Sequence, residues 1–391
     1  MSTTSPQMTD DGPPEPTAGQ TFVQRLAVAQ DWRSAVLIPV LAVFTAFVIG
    51  GIIVMLTGVP FTQMIEAYVA LFKGSVGSLK AISETLTNAT PLILTGLSVA
   101  LAFRAGLFNI GGEGQLLIGG MTAVVVGFSF TGLPWIIHLP LALLAGMIGG
   151  AAWGFIPGFL RARTGAHEVI TTIMLNYIAV LLVQFLLTTS FFQREGRQDP
   201  VSKNVESSAT LPQLLGWINP SYRVNLGLII ALIAAFVINW LLFRTTLGYE
   251  FRAVGANPAA ARYAGISVPR VYVLVMVIAG ALAGLAGANQ ILGVLGRATP
   301  GFSGPGLGFD GIAVALLGRS NPWGVVAAAL LFGGLKAGGQ EMQVSAHVGL
   351  DLIGVMQALI IMFVAAPALI TTMYRLKAPS TSAQITKGWA S

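Results

Sequence analysis

The chain has 391 residues, of which 54% are hydrophobic and 9% are charged. Globular proteins carry roughly 25% charged residues, so this composition excludes a protein with an ordinary water-facing surface. The absence of cysteine excludes disulfide scaffolds, thiolate metal sites and thiol nucleophiles. We therefore expect an all-α protein that crosses a lipid bilayer many times. Its net charge of +6 is typical of basic cytoplasmic loops and indicates no nucleic-acid partner.

The two ends of the chain differ in composition from the part between them. Residues 1–30 begin with an acidic, proline-rich stretch instead of the basic start of a signal peptide, and we expect a disordered cytoplasmic tail. Residues 31–375 form the predicted membrane domain. Residues 376–391 are predicted to be a cytoplasmic C-terminal tail.

Long apolar stretches cover most of the region between the tails. Splitting them at proline, glycine or charge predicts about ten membrane helices, near 35–57, 82–103, 108–130, 134–160, 168–190, 224–243, 269–289, 307–319, 321–339 and 350–372. The segment 307–319 is too short to span a bilayer and follows the Gly/Pro-rich residues 299–308. A broken or re-entrant helix is expected there.

Basic residues are unevenly distributed over the predicted loops. Most of the 21 Lys and Arg residues fall on one side, which the positive-inside rule places in the cytoplasm. Both termini and the loop 244–270 are then cytoplasmic. The long loop 191–223 is predicted to be extracytoplasmic, and Lys336 is assigned to that outer side.

Glycines recur at helical spacing in three of the predicted spans. Small residues four apart allow another helix backbone to approach closely, which is how membrane helices commonly associate. The pattern predicts a dense bundle in which these glycines form helix contacts: Gly146, Gly150, Gly154, Gly158, Gly280, Gly284, Gly334 and Gly338.

The loop 244–270 carries the signals of a short, rigid helix. Asn257 is a natural N-cap, Pro258 suits the first helical position, and Gly265 can adopt the left-handed conformation that ends a helix. An ordinary turn does not need such caps. Three side chains expected to be exposed there suggest docking contacts for a soluble cytoplasmic protein, the alternative being a solvated connector: Arg252, Arg262 and Tyr263.

Isolated polar residues interrupt several apolar runs. An ionisable group inside a membrane segment is costly, so it is usually paired or faces a cavity. Candidate pairs are Arg104 with Glu113, and Arg161 or Arg163 with Glu168. A structural role and a role along a substrate pathway both stay open for this set: Asn109, Glu113, Gln115, Glu168, Asn176, Phe309 and Asp310.

No catalytic or metal-binding constellation is evident in the sequence. The chain contains no Gly-Lys dipeptide, which a phosphate-binding loop of the Gly-Lys-Ser/Thr kind requires. His167 and Glu168 resemble the start of a zinc-protease motif, but Thr171 stands where its second histidine is needed. We therefore expect neither an ATPase of that class nor any other enzyme.

Four blocks, in order along the chain, resemble the permease subunits of nucleoside-type ATP-binding cassette (ABC) importers, relatives of the ribose and branched-chain amino acid permeases. They are TLTNATPLILTGLSVALAFRAGLFNIGGEGQLLIG at 85–119, EVITTIMLNYIA at 168–179, RAVGANPAAARYAGI at 252–266 and GFDGIAVALLG at 308–318. The resemblance implies a permease in the bacterial inner membrane that moves nucleosides, or similar ribosides and simple sugars, by alternating access.

The resemblance also implies partners. These are ABC ATPase subunits that bind the ATP, a second and similar permease, and an extracytoplasmic lipoprotein that delivers the solute; no cofactor is expected in this chain. The family's segment that couples to the ATPase falls on Arg252, Gly255, Asn257, Arg262 and Gly265. The alternative to an ABC importer is an ion-coupled carrier in which Glu113, Glu168 and Asp310 bind protons or sodium.

Overall fold

The computed structural model describes residues 37–375 except 38, 57, 195, 197, 305, 347 and 350. The predictions for the tails 1–30 and 376–391 fall outside these residues. Within the described part the chain is helical, with two isolated β-bridges, Gln193 with Ser202 and Gln213 with Asn225. The predicted all-α class is confirmed for this part of the chain.

The helices in chain order are α1 (Pro39–Leu56), α2 (Phe61–Val76), α3 (Leu79–Arg104), α4 (Gly112–Ser129), α5 (Trp135–Thr164), α6 (Glu168–Leu187), α7 (Gly227–Arg244), α8 (Thr246–Ala256), α9 (Pro258–Tyr263), α10 (Val268–Asn289), α11 (Leu307–Leu317), α12 (Pro322–Ala346), α13 (Asp351–Ala365) and α14 (Pro367–Met373). A π-helical segment, Gln290–Leu295, continues α10.

Six helices among the described residues are long and apolar enough to cross a membrane: α1, α3, α5, α6, α7, and α10 with its π-helical extension. This agrees with a multi-pass membrane protein. The short helix expected near 307–319 is present as α11, which has 11 residues. The total of ten spans stays a prediction.

Helix α2 is absent from the sequence-based prediction. Its 16 residues include Glu66, Lys73 and Gln63, so a search for uninterrupted apolar runs passes over it. Met64, Ala67 and Leu71 are nevertheless buried, because α2 lays this face against α3 and α12. The sequence pattern that marks α2 is therefore an amphipathic period, with apolar residues on one helix face, and not an uninterrupted apolar run.

Helix α3 lies at the centre of the bundle. In its most apolar window 83% of the residues are buried, against 22% for α6, which exposes most of its surface. Helices α2, α7, α10, α11 and α12 surround α3. From Glu84 to Arg104, α3 rises about 30 Å, which matches the thickness of a bilayer's hydrocarbon core.

The predicted glycine contact between helices is confirmed at the crossing of α5 and α10. A Cβ atom on Gly150 would lie 2.2 Å from the carbonyl oxygen of Gly280, and one on Gly284 would lie 2.2 Å from that of Gly146. No larger side chain fits at this distance. The backbones of the two helices are therefore in direct contact, as the spacing predicted.

Loop 191–223 and the loop 244–270 lie at opposite ends of α3. At one end, Arg223 forms an ion pair with Glu84 over 3.4 Å. At the other end, Gly255 packs against the carbonyl oxygen of Arg104. Loop 191–223 also closes over the end of α4, where the Glu206 amide donates to the carbonyl of Gly127 at 2.9 Å. The predicted orientation has loop 191–223 outside the cell and loop 244–270 in the cytoplasm, so it requires this opposite placement.

Candidate functional site

The amino end of α4 lies inside the protein and needs internal hydrogen-bond partners. Helix α3 ends at Arg104, and the chain is non-helical until α4 begins at Gly112. The side chain of Asn176, in α6, forms hydrogen bonds with the backbone of both the non-helical stretch and the first turn of α4. Its amide oxygen accepts from the Gly114 amide at 2.8 Å, and its amide nitrogen donates to the carbonyl of Ile110 at 2.9 Å. A helix end left unpaired at membrane depth would be costly.

Asn109 and Gln115 complete this arrangement. Asn109 donates to the side-chain oxygen of Gln115 at 3.0 Å and accepts from the side-chain nitrogen of Gln115 at 3.2 Å. Asn109 also accepts from the backbone amide of Gly111 at 3.0 Å. Both side chains are fully buried. They act as internal partners of the α4 end and cannot touch a solute in this conformation.

Glu113 joins the amino ends of α4 and α11. One carboxylate oxygen accepts from the Ser303 hydroxyl at 2.5 Å, and the other accepts from the Gly308 backbone amide at 2.8 Å. Gly308 lies in the first turn of α11, whose free amides attract negative charge. Gly308 has to be glycine, since a Cβ atom there would lie 2.2 Å from the Glu113 amide nitrogen.

The expected pair of Arg104 with Glu113 is wrong. The carboxylate already has two donors, and the Arg104 guanidinium donates instead to the carbonyl of Ser320 at 2.9 Å, beyond the far end of α11. Arg104 and Glu113 are close in the sequence, which suggested that they pair. The actual partners of Glu113, Ser303 and Gly308, come from a distant part of the chain, at and before the start of α11.

Asp310 and Lys336 form an ion pair between α11 and α12. The distance from the Lys336 amine to the carboxylate is 2.6 Å, and both side chains are about one-fifth accessible. Lys336, counted above with the outer side, lies well inside the 25-residue helix α12, as the predicted span 321–339 also had it. Phe309 precedes Asp310 and is 47% exposed.

Glu168 lies apart from this group, at the start of α6. Its carboxylate is 3.3 Å from Arg161 at the end of α5, which confirms one of the two expected pairings. The Arg161 guanidinium also lies over the ring of Tyr272, 5.8 Å from its centre. Glu168 therefore links α5, α6 and α10 at their shared end.

We call one group of side chains the polar cluster: Asn109, Glu113, Gln115, Asn176, Ser303, Asp310 and Lys336. The structure brings five predicted pathway residues together in it. Sequence reasoning missed Ser303 and Lys336. Lys336 gave the same signal as Glu113, a single charge in a glycine-rich apolar run, whereas a serine in a turn gives no signal of its own.

The predicted capped helix in the loop 244–270 is present as α9. The Asn257 side chain accepts from the amides of Ala259 and Ala260, each at 3.0 Å. Gly265 follows the helix with a φ of 87°, in the left-handed region. The structure adds a second helix, α8, whose cap is Thr245, with its hydroxyl accepting from the Gly248 amide at 3.1 Å. We call α8 and α9 together the coupling segment.

Close contact joins the coupling segment to α3. A Cβ atom on Gly255 would lie 2.2 Å from the carbonyl oxygen of Arg104. The guanidinium groups of Arg104 and Arg252 both lie over the Phe243 ring, at 5.6 and 5.4 Å from its centre. Helix α8 therefore packs against the last residues of α3 and α7.

Exposure differs among the three expected docking side chains. Tyr263 is 97% exposed, and Arg262 beside it is exposed as well. Arg252 is half-buried and directed to Phe243, so its expected exposure is corrected. Tyr263 and Arg262 are thus exposed side chains of α9, while Arg252 of α8 packs on the Phe243 ring.

Comparison with known proteins gives a consistent result. Residues 81–365 match the family model described as branched-chain amino acid transport system / permease component. The guanosine ABC transporter permease protein NupP of Bacillus subtilis is 44% identical over 85% of this chain and 94% of the relative. The nucleoside ABC transporter permease protein NupB of Lactococcus lactis is 41% identical over 86% and 93%. The glucose ABC transporter permease protein TsgB13 of Haloferax volcanii is 38% identical over 83% and 86%. No solved structure matches the chain.

Proposed function

This chain belongs to the family of branched-chain amino acid transport system permease components, and on that premise we propose that it is a permease subunit of an ABC importer for nucleosides or similar ribosides. The observation that carries the proposal is the identity of 44% to a guanosine permease over nearly the whole length of that relative. The glucose permease at 38% keeps simple sugars within the proposed substrate class.

The proposed importer needs further subunits. ATP is bound and hydrolysed by separate cytoplasmic ATPases, a second and similar permease completes the membrane part, and an extracytoplasmic lipoprotein delivers the solute. This arrangement places the chain in a bacterial inner membrane with ten spans and with its termini and coupling segment in the cytoplasm. Support comes from the opposite placement of the coupling segment and loop 191–223 on α3.

We assign ATPase contact to α9. Tyr263 and Arg262 form its exposed surface, while Asn257 and Gly265 keep the helix short and stiff. Movement of α9 passes through α8 to Gly255, which is in contact with the Arg104 carbonyl at the end of α3. Because α3 is the most buried span, its displacement shifts the helices around it. In this proposal, movement of α9 and α8 displaces α3 and its neighbours, and this displacement switches the solute path between its two openings.

We place the solute path beside the polar cluster. Asp310 and Lys336 are its accessible members, and the exposed Phe309 lies next to them in the chain. Together they can present a ring face and charged hydrogen-bonding groups to a riboside. Asn109, Glu113, Gln115 and Asn176 keep the ends of α4 and α11 in position next to them. Broken helices of this kind recur at the binding sites of transporters.

The ion-coupled carrier is less consistent with this geometry. Such a carrier needs a carboxylate that is free to bind a proton or sodium. Each of its three candidates has a protein partner: Glu113 has Ser303 and Gly308, Asp310 has Lys336, and Glu168 has Arg161.

Uptake by whole cells tests the proposed substrate class. Cells in which the gene is deleted should lose uptake of labelled guanosine and adenosine, and the intact gene should restore it. Labelled glucose and leucine serve as comparison solutes. Nucleoside uptake that is unchanged by the deletion would refute the nucleoside assignment, and loss of glucose uptake alone would assign the chain to sugars.

A further inference from the structure

A groove lies between the end of α5 and the start of α10, outside the polar cluster and the coupling segment. Its volume is about 330 Å³. Phe159, Val273, Leu274 and Pro269 form its apolar lining, and Arg163 and Arg270 lie at its edge. No acidic residue lines it. The two arginines come from different helices and meet because α5 ends where α10 begins.

Neither arginine has a partner of its own among the described residues. Arg163 and Arg270 are exposed, and neither takes part in an ion pair or a side-chain hydrogen bond in that part of the chain. Arg161, two residues before Arg163, behaves differently, since Glu168 and Tyr272 already engage it. Two uncompensated positive charges therefore flank an apolar groove.

The groove lies at the depth of lipid headgroups. Helix α5 has 30 residues and is about 45 Å long, whereas a bilayer's hydrocarbon core is about 30 Å thick. Its last turn, which holds Arg163, consequently reaches the headgroup region. Exposed apolar side chains on α5, Ile148, Phe155 and Phe159, form a stripe at helical spacing that leads from the bilayer interior to the groove.

We propose that this groove binds one anionic phospholipid, with the phosphate between Arg163 and Arg270 and an acyl chain along Phe159 and Leu274. Arginine suits this role because its planar guanidinium donates two parallel hydrogen bonds to phosphate oxygens. Basic pockets between membrane helices on the cytoplasmic side are sites of this chemistry. The lipid would fill the seam between α5 and α10 next to the coupling segment.

Native mass spectrometry of the full chain tests the proposal, with dioleoyl-phosphatidylglycerol as the probe and dioleoyl-phosphatidylcholine as the zwitterionic comparison. The wild type should bind one phosphatidylglycerol at least tenfold more tightly than phosphatidylcholine. The double variant Arg163→Gln/Arg270→Gln should lose this preference. Leu274→Trp, which fills the groove and keeps both charges, should weaken binding of both lipids at least threefold.

Arg297→Gln is the matched control, since Arg297 is another exposed arginine and lies beyond the opposite end of α10. It should bind phosphatidylglycerol as the wild type does. Equal binding by the double variant and the wild type would overturn the proposal, as would equal binding of the two lipids by the wild type. Loss of phosphatidylglycerol when the ATPase associates would assign the groove to the ATPase and would also overturn it. If the double variant does not fold, the Leu274→Trp result decides.

Discussion

Glu113 holds the amino end of α11 through two hydrogen bonds, and a glutamine can replace it in part. A glutamine oxygen accepts from the Gly308 amide, and its nitrogen can donate to the Ser303 hydroxyl, which rotates to accept. A leucine leaves the Gly308 amide unpaired in the interior, which costs about 1–3 kcal/mol.

We therefore expect Glu113→Leu to lower the thermal unfolding midpoint of the purified chain clearly and Glu113→Gln to stay near the wild type. Fluorescence-detected size-exclusion chromatography after heating measures both. Glu341→Leu is the control, because Glu341 is exposed and, among the described residues, accepts a side-chain hydrogen bond from nearby Ser345 alone. Equal midpoints for Glu113→Leu and the wild type would disprove the capping role.

The N-cap of α9 can be tested in the same residue-level terms. Asn257→Ala removes the acceptor of two backbone amides and should destabilise α9 by about 1 kcal/mol. Hydrogen exchange at residues 259–264 should then be about fivefold faster, while the global unfolding midpoint changes little because α9 is short and exposed. Ser267→Ala, at the N-cap of α10, is the control, since Ser267 forms no side-chain cap bond. Unchanged exchange in Asn257→Ala would contradict the cap.

At the level of elements, the proposed transmission of movement depends on contact between α8 and α3. Gly255→Ala places a methyl group where the Arg104 carbonyl oxygen now lies, so α8 has to move away from α3. Such overpacking costs typically about 1–3 kcal/mol. We expect at least a fivefold loss of solute-stimulated ATP hydrolysis in the assembled transporter, with normal amounts of the chain in the membrane.

Gly354→Ala in α13 is the matched control for this change, because a Cβ atom on Gly354 meets nothing within 4 Å. It should leave both ATP hydrolysis and the amount of protein unchanged. Wild-type hydrolysis in Gly255→Ala would show that force does not pass from α8 to α3 at this point.

The elements that could be predicted from the sequence are those whose signals are local. Asn257, Pro258 and Gly265 mark α9 because caps act within a few residues, and the α5 glycines mark the crossing with α10 because helix spacing is regular. Helix α2 was missed because polar residues such as Glu66 and Lys73 interrupt its apolar run, so only an amphipathic period marks it. The partners of Glu113 were missed because Ser303 and Gly308 approach it only after the whole bundle has formed.

For the whole molecule, the two proposed roles fall at different places along α3. The coupling segment contacts one end, and the polar cluster lies where α4 and α11 begin. Nothing in the described residues resembles a phosphate-binding loop, and the three membrane carboxylates discussed here already have partners. In the proposed importer, the free energy for moving a solute against its gradient comes from the associated ATPase.

Reconstitution into liposomes tests this claim most directly. The chain with its second permease, ATPase and delivery protein should accumulate labelled guanosine only when ATP is supplied, and omission of the ATPase should abolish accumulation even under an imposed proton or sodium gradient. Gradient-driven accumulation of guanosine by the chain alone would contradict the account.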